Sequence, residues 1–466
     1  MRWMRIMLAM GAVVTTSVVS RAAGTVTVYP APAGEPMSKM YTVSVEGKIS
    51  PVYVAKVMSM LNQKDFKPGE AGFTSFDLNG TATVTVTYPE KVKTAKVLPT
   101  SRGIVTQISG NTITFTVSKP DLLTVDVNGD WNNSLHVFVN AMDELPNMKD
   151  PNLIYFGPGI HAIEPMIVPS GKTVYIAGGA VIYGKLPADG SEVKSHGIFQ
   201  LHGDHISLRG RGIIDGSLLP DHHFNQVVVA GNDISVEGVT LRDSGSFNLP
   251  MRDSNHVTVR NVKILGQKVN SDGMDIISSQ NVDISDSFVR TFDDLIVMKS
   301  NMPGGQGTKN VTVHHMVLWN EKSHALHMGS EIKEPIENVL FTDADIIHDK
   351  GHDWLLRVLD GQVGTARHIV WDGIRVEECR RLMSLSIQKN YNSAEGVEYR
   401  GHIEDVTFRN ITSPKPEWDR GMWLNGFDKD HAIHGVLFEN VVVGGKPLKL
   451  SDIQNDGFAD GVVVKP

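Results

Sequence analysis

Between Asn270 and Glu331 three short runs, NSDGMDIIS, FDDLIVMKS and SHALHMGSE, each set an acid or an imidazole just ahead of an apolar core. Aligning Met274, Leu295 and Leu326 as one column puts Asp272, Asp293 and His324 in equivalent places two residues earlier, with Asp294 next to Asp293. If each run is a strand in a successive layer, neighbouring carboxyls differ by one layer, about 4.8 Å of rise. A lateral offset then predicts a pair roughly 6.5–9.5 Å apart, the gap that leaves room for a water between a base and a sugar in inverting glycosidases. Crowded carboxylates resist joint ionisation, so one keeps its proton near neutral pH as a general acid and the cluster titrates as a unit. His324 is placed to tune that proton and to bond the sugar. Clustered Asp and His also suit a calcium ion, and Asp272-Gly273 alone is ordinary turn chemistry. The shared column favours acid–base work, and no metal or other cofactor is expected.

Those runs need a scaffold that repeats, and the chain supplies one. From about Leu153 onward a pattern of four apolar positions recurs: DISVEGVTLRD, HVTVRNVKILG, NVTVHHMVLWN, NVLFTDADIIH, HIVWDGIRVEE, DVTFRNITS and GVLFENVVVGG. Aligned on Ile234, Val257, Val282, Val311, Val339, Ile369, Val406 and Val436, its steps are 23, 25, 29, 28, 30, 37 and 30 residues. Repeats of this length made only of short strands indicate a solenoid. No helical period lies between them, and about 28 residues is tight for a four-stranded propeller blade. The prediction is an all-β chain whose residues 152–466 form a right-handed parallel β-helix of about ten coils. Side chains alternate along a strand, so Leu295, Leu326, Leu356 and Leu385 are expected to point inward. His327, Arg357 and Ser386 would then point outward beside the acids, over a groove along the axis. Trp354 falls one rung beyond His324, where it would stack on a sugar or pack at the rim.

Ahead of the repeats, residues 24–142 carry the alternating runs YTVSV, TATVTVTY, NTITFTV and LLTVDV, separated by turn signals such as Leu78-Asn79-Gly80. They predict a small β-sandwich-type domain, with a short helix as an option over Ser50 to Asn62. Residues 1–22 read as a secretory signal: Arg2 and Arg5, an apolar stretch from Ile6 to Val19, then Ser20-Arg21-Ala22. The stretch is short for a membrane span and broken by Thr15, Thr16 and Ser17, so a secreted or periplasmic protein free of the membrane after cleavage is expected. Over 466 residues, 41% hydrophobic content is ample for a core, and a net charge of -8 argues against nucleic acid as a partner. Cys379 is the single cysteine, so no internal disulfide is available and a buried thiol is expected.

The three runs resemble the signatures of glycoside hydrolase family 28, the polygalacturonases and rhamnogalacturonases: NTD, then DD before a strand, then a histidine in a GHG context, then RIK, then a downstream tyrosine. Here they read NSDG at Asn270 to Gly273, DDLIVMKS at Asp293 to Ser300, SHALHMGSE at Ser323 to Glu331, LRVL at Leu356 to Leu359 and LSIQKNY at Leu385 to Tyr391. The resemblance implies Asp293 as general acid, Asp272 and Asp294 as the pair that positions and deprotonates a water, and His324 as support for the acid. It implies substrate contacts from Asn270, Arg357 and Tyr391. Lys299 aligns with a lysine of many bacterial relatives, and His327 takes the place of a usually small residue on the groove wall. Leu359 stands in place of the family's RIK lysine, whose charge suits a uronate carboxylate. The order of sandwich then helix also resembles glycoside hydrolase family 49, the dextranases and isopullulanases.

The resulting expectation is a secreted inverting glycosidase acting on a plant or algal, pectin-related polysaccharide or its oligosaccharides. A neutral α-glucan is the alternative substrate. A polysaccharide lyase and a non-catalytic glycan-binding β-helix are the alternative activities, and the oligomeric state is left open.

Overall fold

A computed structural model describes residues 24–58, 68–188, 196–302, 305–389 and 400–466. The expected leader at 1–22 and Tyr391 lie outside the described residues. Among the described residues no helix is long and apolar enough to cross a membrane.

The alternating runs of the first part form two sheets. One has five strands in the order Lys48–Ser50, Thr42–Val45, Ala82–Thr87, Thr112–Val117 and Gln107–Ser109. The other has six, running Thr25–Val28, Pro68–Asn79, Leu135–Asn140, Asp121–Val127 and Ala95–Leu98, with Tyr53–Met58 also paired to Pro68–Asn79. Val43, Val45, Val84, Val86, Ile113 and Phe115 of one sheet meet Phe76, Leu123, Val125, Leu135, Val137 and Val139 of the other in a single apolar layer. The helix considered for Ser50 to Asn62 does not form where the chain is described. Tyr53–Met58 is a strand with alternating burial, registered antiparallel on Pro68–Phe73. Pairing on a sheet edge with Val54 and Val57 in the strand overrides local helix preference.

The described residues between 153 and 465 wind into the right-handed parallel β-helix, one sheet of 28 strands. The predicted register of its long ladder is the observed one: Ile234, Val257, Val282, Val311, Val339, Ile369, Val406 and Val436 are successive partners. Two residues on, Phe341, Trp371, Phe408 and Phe438 stack inside the coil at 5.6, 4.7 and 5.1 Å between ring centroids.

A second face of the helix meets the sandwich. Leu135–Asn140 is buried along its whole length: Leu135, Val137 and Val139 enter the sandwich core, while Phe138 turns to Phe288 at 5.3 Å. Tyr53, Ala55, Val57, Phe73 and Leu122 extend that apolar contact onto Val181, Ile213, Leu265, Val317 and Ile347 of the helix. The third face carries Leu249–Arg252, Met274–Ile277, Ile296–Ser300, Leu326–Ile332, Leu356–Asp360, Met383–Ile387 and Met422–Asn425. It is left free of the sandwich, and the acids stand at its leading edge.

Candidate active site

The coils bring the acidic column together, but in a register one residue from that expected. Met274 pairs with Ile296 and Ile296 with Leu326, so Asp272, Asp294 and His324 share the column and Asp293 sits one residue ahead of it. Backbone bonds hold the stack: Gly273 N–H donates to the Asp294 carbonyl at 2.8 Å and Leu295 N–H to the His324 carbonyl at 2.9 Å. A glycine follows Asp272 for closeness: a Cβ there would lie 2.3 Å from the Leu295 carbonyl oxygen.

The outward column is likewise corrected. His327 pairs with Arg357 and Arg357 with Ser384, not Ser386. Leu385 stacks under Val358 and Met328, while Leu326 and Leu356 continue into Met383.

One carboxylate oxygen from each of Asp272, Asp293 and Asp294 lies within 4.8 Å of the other two. The closeness follows because two of the three carboxyls come from adjacent residues and the third from the rung below. The environments push them apart. Burial, reinforced by the negative charge of Asp272 and Asp294, raises the Asp293 carboxyl to about 7. Asp294 goes the other way: burial opposes its charge, yet the adjoining imidazole of His324, which also hydrogen-bonds it, holds it well below the usual carboxylate range. It accepts from Ser323 Oγ at 2.7 Å and from His324 Nδ1 at 2.6 Å. His324 therefore contacts Asp294 directly, whereas the family pattern had it supporting Asp293.

The tautomer of His324 follows from its other side. Arg357 Nη1 lies 2.9 Å from His324 Nε2, and a guanidinium can only donate. Nε2 is then the acceptor and Nδ1 carries the proton that Asp294 receives. His327 stacks on His324 at 4.0 Å and 17°. Burial pushes its own imidazole well below the usual range. Arg357 is itself anchored by Asp353 at 2.7 Å.

Lys299 is buried, and its ammonium is shared by Asp272 at 2.9 Å and Asp275 at 2.6 Å, with the Phe247 ring 4.7 Å away. It thus gives the acids a cation of the protein's own. Burial nevertheless raises Asp272 well above the usual range, against the pull of Lys299. Asp275 was absent from the predicted site. It is the outward residue of Met274–Ile277, one rung below Val297, and alternation along MDII would have found it. Asn270 is exposed in a left-handed turn at φ 59°. Trp354 is buried at the rim, stacked on Trp423 at 5.2 Å with its Nε1 donating to the Arg420 carbonyl. Cys379, far from this chemistry in sequence, is a buried thiol pushed up to about 12 by burial.

Two groups, Asp272 with Asp293 and Asp294, and Asp294 with His324 and His327, have the donor atoms and closeness to take a cation. In the first, Lys299 already supplies one; in the second, His324 Nδ1 already donates to Asp294.

The family model for glycosyl hydrolases family 28 matches residues 221–457, just over half of the chain and the whole of the acid-bearing face. A probable polygalacturonase from Vitis vinifera is 22% identical over 246 residues, 48% of this chain and 42% of that protein. The chain spans about a third to two fifths of the length of the curated relatives it matches. In fold it is similar to the family 28 exopolygalacturonase of Yersinia enterocolitica, with a TM-score of 0.56, 12% identity and coverage of 89% of this chain and 95% of that one. It is also similar to Dex49A from Penicillium minioluteum, with a TM-score of 0.58, 12% identity and coverage of 94% and 96%. With the matched segment covering the coils that stack Asp272, Asp294 and His324, the chain belongs to glycosyl hydrolases family 28.

Proposed function

We propose that this protein is an exported inverting glycoside hydrolase acting on a pectin-related polysaccharide or its oligosaccharides. The observation that carries the reading is the split between two adjacent carboxyls: Asp293 retains a proton up to about pH 7 while Asp294 is held ionised. Opposed protonation states within one cluster are what acid–base cleavage of an acetal needs.

In this reading a water lies against Asp294 and Asp272 on one side of the sugar ring. Its oxygen attacks the anomeric carbon as the bond from that carbon to the glycosidic oxygen breaks. Asp293 delivers its proton to the leaving oxygen, and the water's proton passes to Asp294. One displacement leaves the product anomer inverted. Inversion rests on family membership and on these opposed roles. The pectin-related class is supported by the polygalacturonases among the relatives, and export by the residues of the N-terminal stretch.

The test is the Asp293→Asn variant, assayed on pectic, glucan and algal polysaccharides with the first product anomer followed by NMR. Wild type should release the inverted anomer. The variant should fold with an unchanged circular dichroism spectrum and lose activity by about 10²–10⁴-fold, the usual share of a positioned general acid. Undiminished turnover in the variant, or retained configuration in the wild-type product, overturns the assignment.

A further inference from the structure

The column that holds the acids does not end with them. Registered rung by rung, it runs Phe247, Asp272, Asp294, His324, Trp354, Arg381 and Arg420. The two cations that touch the acid cluster are already matched. Lys299 is shared by Asp272 and Asp275, and Arg357 is bonded to Asp353 and His324. Leu359, half-buried, leaves an apolar place where the family's lysine would offer a charge.

Arg381 differs from both. Its guanidinium donates to two backbone carbonyls, those of Asp419 at 3.1 Å and His352 at 2.8 Å, and to no carboxylate among the described residues. It lies 4.8 Å from the centre of the Trp354 ring and 5.2 Å from that of Trp418, whose own surface is 38% exposed. Arg420, one rung further, lies over Trp423 at 5.1 Å, is 52% exposed and comes no nearer than 3.9 Å to a carboxylate, that of Asp456. Two guanidiniums held over indole rings, neither hydrogen-bonded to a carboxylate among the described residues, form a planar donor set suited to a bidentate oxyanion.

Building on the hydrolase reading, we infer that Arg381, with Arg420 behind it, forms a subsite for a sugar-borne oxyanion, a carboxylate or a sulfate ester. It lies three to four rungs from Asp294 toward the C-terminal end of the groove, roughly 14–19 Å at one strand spacing per rung. The enzyme then reads charge away from the bond it cuts: the anionic group is recognised further along the same chain of sugars. An oligosaccharide lacking that group still reaches the acids but is held less tightly.

The experiment measures binding and turnover separately. Binding is followed by titration calorimetry on the Asp293→Asn protein with three probes: a galacturonate oligomer, the same oligomer methyl-esterified, and a sulfated galactan oligomer. One of the two anionic probes should bind about 10–100-fold tighter than the ester, the range of a charge-assisted hydrogen-bonded contact, and the probe that does so names the oxyanion. Adding Arg381→Gln should remove that preference, Arg381→Lys should restore part of it, and the exposed Arg420→Gln should reduce it without loss of thermal stability. In turnover, Arg381→Gln should raise KM for the anionic substrate far more than it lowers kcat. Equal binding of charged and esterified probes, or a preference that survives in Arg381→Gln, overturns the subsite. A wild type that cleaves no glycan while Asp293→Asn still discriminates overturns the hydrolase reading and leaves the subsite standing.

Discussion

At the scale of single residues, the acid pair makes a directional prediction about pH. The proposed mechanism needs Asp293 protonated and Asp294 ionised. Burial and neighbouring charge raise Asp293 to about 7, so kcat/KM should fall as pH rises through about 7. Asp294 is held well below the carboxylate range, so the acid limb should lie below the pH at which ordinary carboxylates titrate. The same shift acts on stability. A group whose folded value exceeds its unfolded value, about 3.9 for Asp, binds its proton more tightly when folded. Its contribution is complete below about pH 4 and is lost as pH rises through about 7. Asparagine cannot ionise, so the Tm of Asp293→Asn relative to wild type should be higher at pH 8 than at pH 4, read by calorimetry at both. A difference that is constant with pH would show that Asp293 carries no such shift. Most of the residues involved were legible in the sequence, yet their register was not. In DDLIVMKS the four residues Leu295 to Met298 are all apolar, so no polar side chain marks which ones face out. The structure turns Val297 outward beside Asp275 and His327. A slip of one residue therefore went undetected, since only alternation specifies register. Ser323 carries a further detail that no pattern would give: its hydroxyl bonds the Asp294 carboxylate.

At the scale of elements, the site is only as fixed as the coils beneath it. Each rung is placed by the one below through parallel backbone bonds, and the long ladder's apolar residues keep that stack in step. This ladder was fully readable from the sequence because polar residues interrupt it at every other place, as in NVTVHH. The short option of a helix near Ser50 was not resolved by local sequence, since the partner strand that decides the matter begins only at Pro68. Within the ladder Trp371 is fully buried between Phe341 and Phe408. Trp371→Ala leaves a void among rigid neighbours and should cost about 3–5 kcal/mol, the usual range for truncating a buried aromatic. Trp371→Phe should cost far less, because it keeps the stack and removes an indole N–H that has no partner among the described residues. Denaturant unfolding of both variants checks the order. A Phe variant as unstable as the Ala variant would mean that the Trp371 N–H is satisfied in solution.

At the scale of the whole molecule, the sandwich and the β-helix are joined by a contact that resembles a core rather than a hinge. Phe138, Phe73 and Tyr53 pack on Phe288, Leu265 and Trp319. Charged groups cross the same boundary: Arg290, fully buried, bonds Glu321 within the helix and Ser134 of the sandwich at 2.6 Å each. Arg242 reaches Glu35 across the junction, and Lys263 reaches Asn140 at 2.5 Å. None of these partners is near the other in sequence, which is why the contact was invisible to periodicity. Removing that cover would expose the apolar face of Val181, Leu265, Phe288 and Trp319 to water, which is strongly unfavourable. The two parts should therefore unfold together, in one calorimetric transition, despite their separate cores. Phe138→Ala tests the coupling. It should lower the Tm of that transition as a whole, since about 3–5 kcal/mol of buried aromatic contact is lost at the boundary. Two well-separated transitions in the wild type, or a Phe138→Ala effect confined to a sub-transition of the sandwich, would show instead that the helix holds its acids in place without the domain packed behind it.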